Sequence, residues 1–274
     1  MGKNRLFQYS PTKIGPYVYS LATVAMGVIN LIWGDFEAGH QPIQAFGDHI
    51  PGREIFAYIA AAWLIGGGAA ILLRQTAKWG AVALAVIYFI FAIFWLPRFY
   101  TVIPILGLRA DVYIGLLTGV FEQLLLVAAA IIVYAYLVSD RSYWRQHVIP
   151  ITRFIFGIGS VVFGLAHLTG VQSVAALVPA WIPLGGKVWT ITTGIAFLLA
   201  GAAILTHLLD ILASRLLAVM LLVFSALVLL PSLFDGSAGH VASGSNACNL
   251  AVVGAVWMFS ELLKGYCRNL SNQV

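Results

Sequence analysis

Eight long runs of apolar residues, separated by short polar or glycine- and proline-containing connections, occupy most of the chain. They cover residues 14–33, 55–73, 79–96, 112–138, 149–168, 188–206, 211–230 and 246–263. A helix needs about 20 such residues to cross the hydrocarbon core of a bilayer. Backbone polar groups in lipid must find their partners within the segment, so runs this long predict helices. Pro16 lies in the first turn of the first run, where its missing N–H breaks no hydrogen bond. Residues 74–78 join the second and third runs, and a similarly short polar turn joins the sixth and seventh. Both predict helical hairpins.

Composition agrees with this pattern. Of 274 residues, 61% are hydrophobic and 9% charged, and the mean hydropathy is +0.94. Soluble domains carry roughly 25% charged residues, so the soluble classes are excluded. The spans leave no length for an extramembrane catalytic domain.

The net charge of +5 changes the picture only through its distribution. The basic residues fall between spans instead of forming a face, which argues against nucleic acid and for a membrane topology. With the N-terminus in the cytoplasm, Lys3, Arg5, Lys13, Arg74, Lys78, Arg141, Arg145, Arg153, Arg215, Lys264 and Arg268 lie inside, leaving Arg53, Arg98, Arg109 and Lys187 outside. That bias predicts both termini in the cytoplasm of a bacterial inner-membrane protein. The first run has no small-residue cleavage site after it and is expected to be a retained helix. Cys248 and Cys267 form no CxxC motif. On one helix, their separation of 19 residues puts them about 28 Å apart, too far to bridge.

The two halves align with each other. Met26-Gly27-Val28-Ile29-Asn30-Leu31 matches Phe163-Gly164-Leu165-Ala166-His167-Leu168, and Ile50-Pro51 matches Ile182-Pro183. Gly68-Ala69-Ala70-Ile71-Leu72 matches Gly201-Ala202-Ala203-Ile204-Leu205, and Leu96-Pro97 matches Leu230-Pro231, at offsets drifting from 137 to 132–134. The expected fold is an all-α membrane protein of eight transmembrane helices, built as two tandem four-helix bundles at residues 1–140 and 141–274. An even number of spans per half orients both alike, about a pseudo-two-fold along the membrane normal.

Polar groups inside spans are costly and are the first candidates for function. Glu122, with Gln123 beside it, stands about ten residues into the fourth run, and Asn249 is its counterpart in the eighth. Asn30 and His167 correspond near the ends of the first and fifth runs. Together they outline a polar pocket in the outer half of each repeat; interhelical hydrogen bonding is the competing explanation. The connection at residues 34–53 concentrates Asp35, Glu37, His40, Asp48 and His49. His40, Asp48 and His49 are divalent-metal ligand types at a spacing that matches no metal motif, and a solvated loop accounts for them equally well. The corresponding stretch of the second half, residues 169–186, is apolar and predicts a segment lying at the interface, suited to covering a lipophilic ligand. The sequence marks no catalytic residue and predicts no bound cofactor.

The stretches Phe163-Gly164-Leu165-Ala166-His167, Val178-Pro179-Ala180-Trp181-Ile182-Pro183, Thr193-Gly194 and Leu199-Ala200-Gly201-Ala202-Ala203 resemble the DoxX-like membrane proteins. In the first half, Trp33-Gly34-Asp35-Phe36, Gln41-Pro42-Ile43, Pro51-Gly52-Arg53 and Glu122-Gln123 look like the paired repeat of double-length members. The resemblance implies a four-helix bundle per repeat and a link to quinone-dependent redox complexes, and it transfers no catalytic residue. Three functions follow as expectations: a structural or accessory membrane component, a quinone-facing subunit beside redox-complex partners, and a transporter of a small solute or lipid.

Overall fold

The computed structural model describes residues 14–37, 39–40, 50–137, 147–234 and 239–271, without the side chains of residues 232 and 267–271. Among them, eight helices are long and apolar enough to cross a bilayer: Ile14–Trp33, Arg53–Leu72, Ala77–Thr101, Ala110–Leu137, Ile149–Thr169, Gly185–Thr206, Asp210–Leu229 and His240–Tyr266. They are called the first to eighth helices below. The chain is thus a polytopic membrane protein with eight candidate spans, and its contact with a lipid bilayer follows. The end at which the first helix finishes is called the far end.

Each helix packs on the next in sequence, and the eighth returns to pack along the first, closing a ring. The eighth also packs on the fourth, across the centre. Contact between the first and fourth helices, or between the fifth and eighth, is slight by comparison. Burial follows from this order: 78% of the eighth span and 56% of the fourth are buried, against 28% of the seventh. Exposed Ile55, Phe56, Trp79, Phe89, Leu199 and Leu216 cover the outside of the ring.

Without a hydrophobic drive in lipid, helices associate where small residues let backbones approach. A Cβ at Gly27 would stand 2.7 Å from Ala61 O, and one at Gly68 would stand 2.9 Å from Ser20 O. Between the fifth and sixth helices, a Cβ at Gly164 would stand 2.8 Å from Gly194 O, and one at Gly201 would stand 2.8 Å from Gly157 O. The two sets lie 137 residues apart on the first and fifth helices and 133 apart on the second and sixth. Gly254 closes the ring: a Cβ there would meet Tyr19 N at 2.5 Å and Gly15 O at 2.8 Å.

The third and seventh helices share a buried stripe. Ala77, Ala81, Leu84, Tyr88 and Ala92 recur 133 residues on as Asp210, Ser214, Leu217, Leu221 and Ser225. The seventh helix then takes a π turn, Ser225–Leu229, in which Leu230 N donates to Ser225 O at 2.7 Å. A π turn inserts one extra residue, and Leu230-Pro231 follows it directly, 134 residues after Leu96-Pro97. At the opposite end, buried Arg153 donates to Asp210 Oδ2 at 2.7 Å and to Ile204 O at 2.8 Å, tying the fifth helix to the turn between sixth and seventh.

Candidate functional site: a buried polar cluster behind an aromatic groove

The chain leaves the first helix through Gly34, whose positive φ of 62° suits glycine, and folds back among the helix ends. Arg53 of the second helix holds this turn with Nε 2.8 Å from Asp35 Oδ1 and Nη2 3.2 Å from Oδ2. The return carries Glu37 and His40 inward, leaving them 3% and 0% exposed. This corrects the expectation of a solvated loop for these two residues. The cause is tertiary: the helix ends leave a polar recess that the turn fills.

Asn30 Oδ1 accepts the Glu37 backbone N–H at 2.9 Å, and Gly39 N donates to Glu37 Oε2 at 2.9 Å. Trp95 Nε1 donates to Gly39 O at 2.9 Å, and the Arg98 guanidinium lies 3.8 Å over the Trp95 ring. Glu37 presses against Gly244 of the eighth helix, where a Cβ would clash with it. Burial and the nearby Glu122 carboxyl raise the Glu37 pKa to about 7, against the hydrogen bond from Gly39. Burial, reinforced by His240, lowers the His40 pKa to about 3. His40 is therefore neutral, and its 3.7 Å approach to Glu37 Oε2 is not an ion pair. The His40 ring stacks on Phe91, with centroids 4.1 Å apart and planes 14° apart.

Several polar atoms here have no hydrogen-bond partner among the described residues: both ring nitrogens of His40, both amide atoms of Gln123 and Asn30 Nδ2. Buried polar groups left this way are a deficit of about 1–3 kcal/mol each. Beside them, between the second and third helices, a groove of about 460 Å³ opens sideways. Phe36, Phe56, Trp63, Phe91 and Phe94 line it, with Arg53 at its far end. Phe91 belongs to both features: it lines the groove and stacks on His40.

Four of the five intraspan candidates divide between two places. Asn30 and Gln123 join the Glu37–His40 cluster, Gln123 lying against Gly39. Glu122, one residue earlier on the fourth helix, turns into the second half and lines a small cavity with Asn249 and Ser160. Adjacent helical residues point about 100° apart, so one helix serves both halves. His167 is brought to neither: its Nδ1 bonds to Phe163 O at 2.8 Å on its own helix, and its ring lies 5.2 Å from Phe197. Among the described residues no group of three His, Cys, Asp or Glu could hold a metal ion, and Asp48 and His49 lie outside the described residues. The apolar segment of the second half begins with a short helix, Val171–Ala175, and exposes Leu177, Trp181 and Leu184.

Trp95, Arg98, His240, Gly244 and Cys248 were not marked by the sequence as parts of the cluster. Only His240, at the polar start of the last span, carried a usable signal. Compared with family models, curated proteins and solved structures, the chain matches none.

Proposed function

We propose that this chain is an accessory membrane component that binds a lipophilic molecule with a polar head, of the quinone class, from the lipid phase at its far end. One observation carries this reading: the ring of His40, whose nitrogens have no hydrogen-bond partner among the described residues, stacks on Phe91, which lines an aromatic groove between the second and third helices, and Gln123, likewise unpartnered among them, lies nearby against Gly39. A quinone ring stacks on aromatic faces, its carbonyls accept hydrogen bonds, and its prenyl tail suits an apolar lateral groove. The groove volume of about 460 Å³ falls within the usual range for small-molecule sites of roughly 300–1,000 Å³. Electrons would come from a redox-complex partner, and the chain's part is to bind and orient.

The same proposal takes the halves as tandem DoxX-type repeats, inserted alike in a bacterial inner membrane with both termini cytoplasmic. The glycine contacts repeating at offsets of 137 and 133 support the repeat, and the distribution of Lys and Arg supports the orientation. Transport of a small solute or lipid is the alternative reading; it draws on the parallel repeats and on polar groups at matching depths, Glu122 with Asn249 and Asn30 with His167.

The test is titration of the purified chain in nanodiscs with a short-chain quinone, followed by quenching of tryptophan fluorescence. Saturable quenching is expected, weakened about tenfold in Gln123→Leu, since one hydrogen bond contributes about 1–1.5 kcal/mol. Linear quenching that is the same in the variant would mean partitioning into lipid and would sink the proposal.

A further inference from the structure

Glu122 lies among five helices, and among the described residues no basic group stands against it. Its Oε1 accepts a hydrogen bond from Cys248 Sγ at 3.2 Å, and among the described residues it makes no ion pair. It borders a cavity of about 30 Å³ shared with Ser160 and Asn249 and otherwise walled by apolar side chains. A water molecule needs about 10–15 Å³ of such space, so the cavity has room for one or two.

The polar atoms around this space are acceptors. Asn249 Nδ2 is spent on Leu221 O at 3.0 Å and Ser225 Oγ at 2.6 Å. A backbone carbonyl only accepts, which fixes the amide orientation and leaves Oδ1 uncommitted. Ser160 O–H donates to Phe156 O at 2.8 Å, so only its lone pairs remain. An ionised Glu122 would add one more acceptor to a cavity whose polar lining offers it no donor, with only the weak Cys248 S–H donating to it among the described residues. A neutral carboxyl supplies the missing donor and removes the penalty of an unpaired buried charge.

The first half offers a comparison. There Thr23 Oγ1 and the Tyr88 hydroxyl pair at 2.9 Å. At offsets of 137 and 133, their places are taken by Ser160 and Leu221. With leucine at 221 no phenol reaches Ser160, which bonds to its own helix at Phe156 O, and Leu221 lines the space beside Glu122.

We propose that Glu122, Asn249 and Ser160 form an internal proton-storage site in the second half, the proton resting on the Glu122 carboxyl and directed into the acceptor-lined cavity. The titratable groups that face it are Cys248 from the eighth helix and Glu37 from the turn after the first, which acts on it through space. The fifth, sixth and seventh helices present Ser160, Phe163, Phe197, Leu217 and Leu221 and no charged residue. Charge on Glu37 and charge on Glu122 oppose each other, so the first-half cluster and this site are coupled reciprocally. The inference does not depend on a quinone.

Infrared difference spectroscopy of the full chain in nanodiscs, titrated with pH in sodium-free buffer, tests it. Two protonated-carboxyl C=O bands are expected near neutral pH, one from Glu37, which is half-protonated there, and one from Glu122. The second should vanish in Glu122→Gln and persist alone in Glu37→Gln, where its loss on titration should move to lower pH. Asn249→Leu and Leu221→Tyr should shift the second band by changing what the O–H meets, and they serve if Glu122→Gln does not accumulate. A second band indifferent to all four substitutions overturns the proposal. Displacement of the second band by sodium at constant pH would overturn it in favour of a metal cation.

Discussion

At the residue scale, Glu37 and His40 bind protons in opposite senses. Glu37 has its pKa raised from 4.5 to about 7, so its contribution to stability is complete below 4.5 and is lost as pH rises through 7. His40 has its pKa lowered from 6.5 to about 3, so its contribution is present above 6.5 and is lost as pH falls through 3. Between 4.5 and 6.5 the two oppose each other, and the intact protein should show little dependence on pH from this pair. Removing either partner exposes the other. Thermal unfolding of Glu37→Gln in detergent should show stability rising from pH 3 to 6.5. With His40→Asn it should fall from pH 4.5 to 7, by about 3 kcal/mol in all. A flat profile in both variants would mean that neither group is buried as described. Asn30→Ala should separately remove about 1–3 kcal/mol, because the Glu37 N–H loses its acceptor.

At the element scale, the glycines that hold helix pairs together are distinguishable from those that do not. A methyl group at Gly27 or Gly164 meets a backbone carbonyl of the neighbouring helix at 2.7 or 2.8 Å, and backbone cannot yield as a side chain does. Alanine at either position should lower stability by about 1–3 kcal/mol through overpacking. Gly66 and Gly115 have nothing within 4 Å, and alanine there should be neutral or slightly stabilising through helix propensity. Equal effects at all four sites would contradict the packing. The helices themselves were legible beforehand, since their boundaries fall within a few residues of the apolar runs. The π turn at Ser225–Leu229 was not, because only the register of buried positions on either side reveals the extra residue.

At the scale of the whole molecule, the ring makes the two halves interdependent. The first helix packs on the eighth and the fourth on the fifth, so cutting the chain at residue 140 exposes two large interhelical faces at once. Residues 1–140 and 141–274 produced separately should accumulate poorly, and produced together they should co-purify. Full accumulation of each half alone would show two independent bundles instead.

The long apolar runs and the scarcity of charge determined, by themselves, eight helices long and apolar enough to cross a bilayer, because the energy of leaving backbone or charge in lipid admits few other arrangements. They also singled out Glu122, Gln123, Asn30 and Asn249 as polar groups at depth. Tertiary structure alone decided where these side chains point. One step along the fourth helix sends Glu122 into the second half and Gln123 into the first, and linear spacing cannot say which neighbour each will meet. It also decided that Glu37 and His40 are buried, since a loop becomes interior only where the helix ends around it leave a recess to be filled.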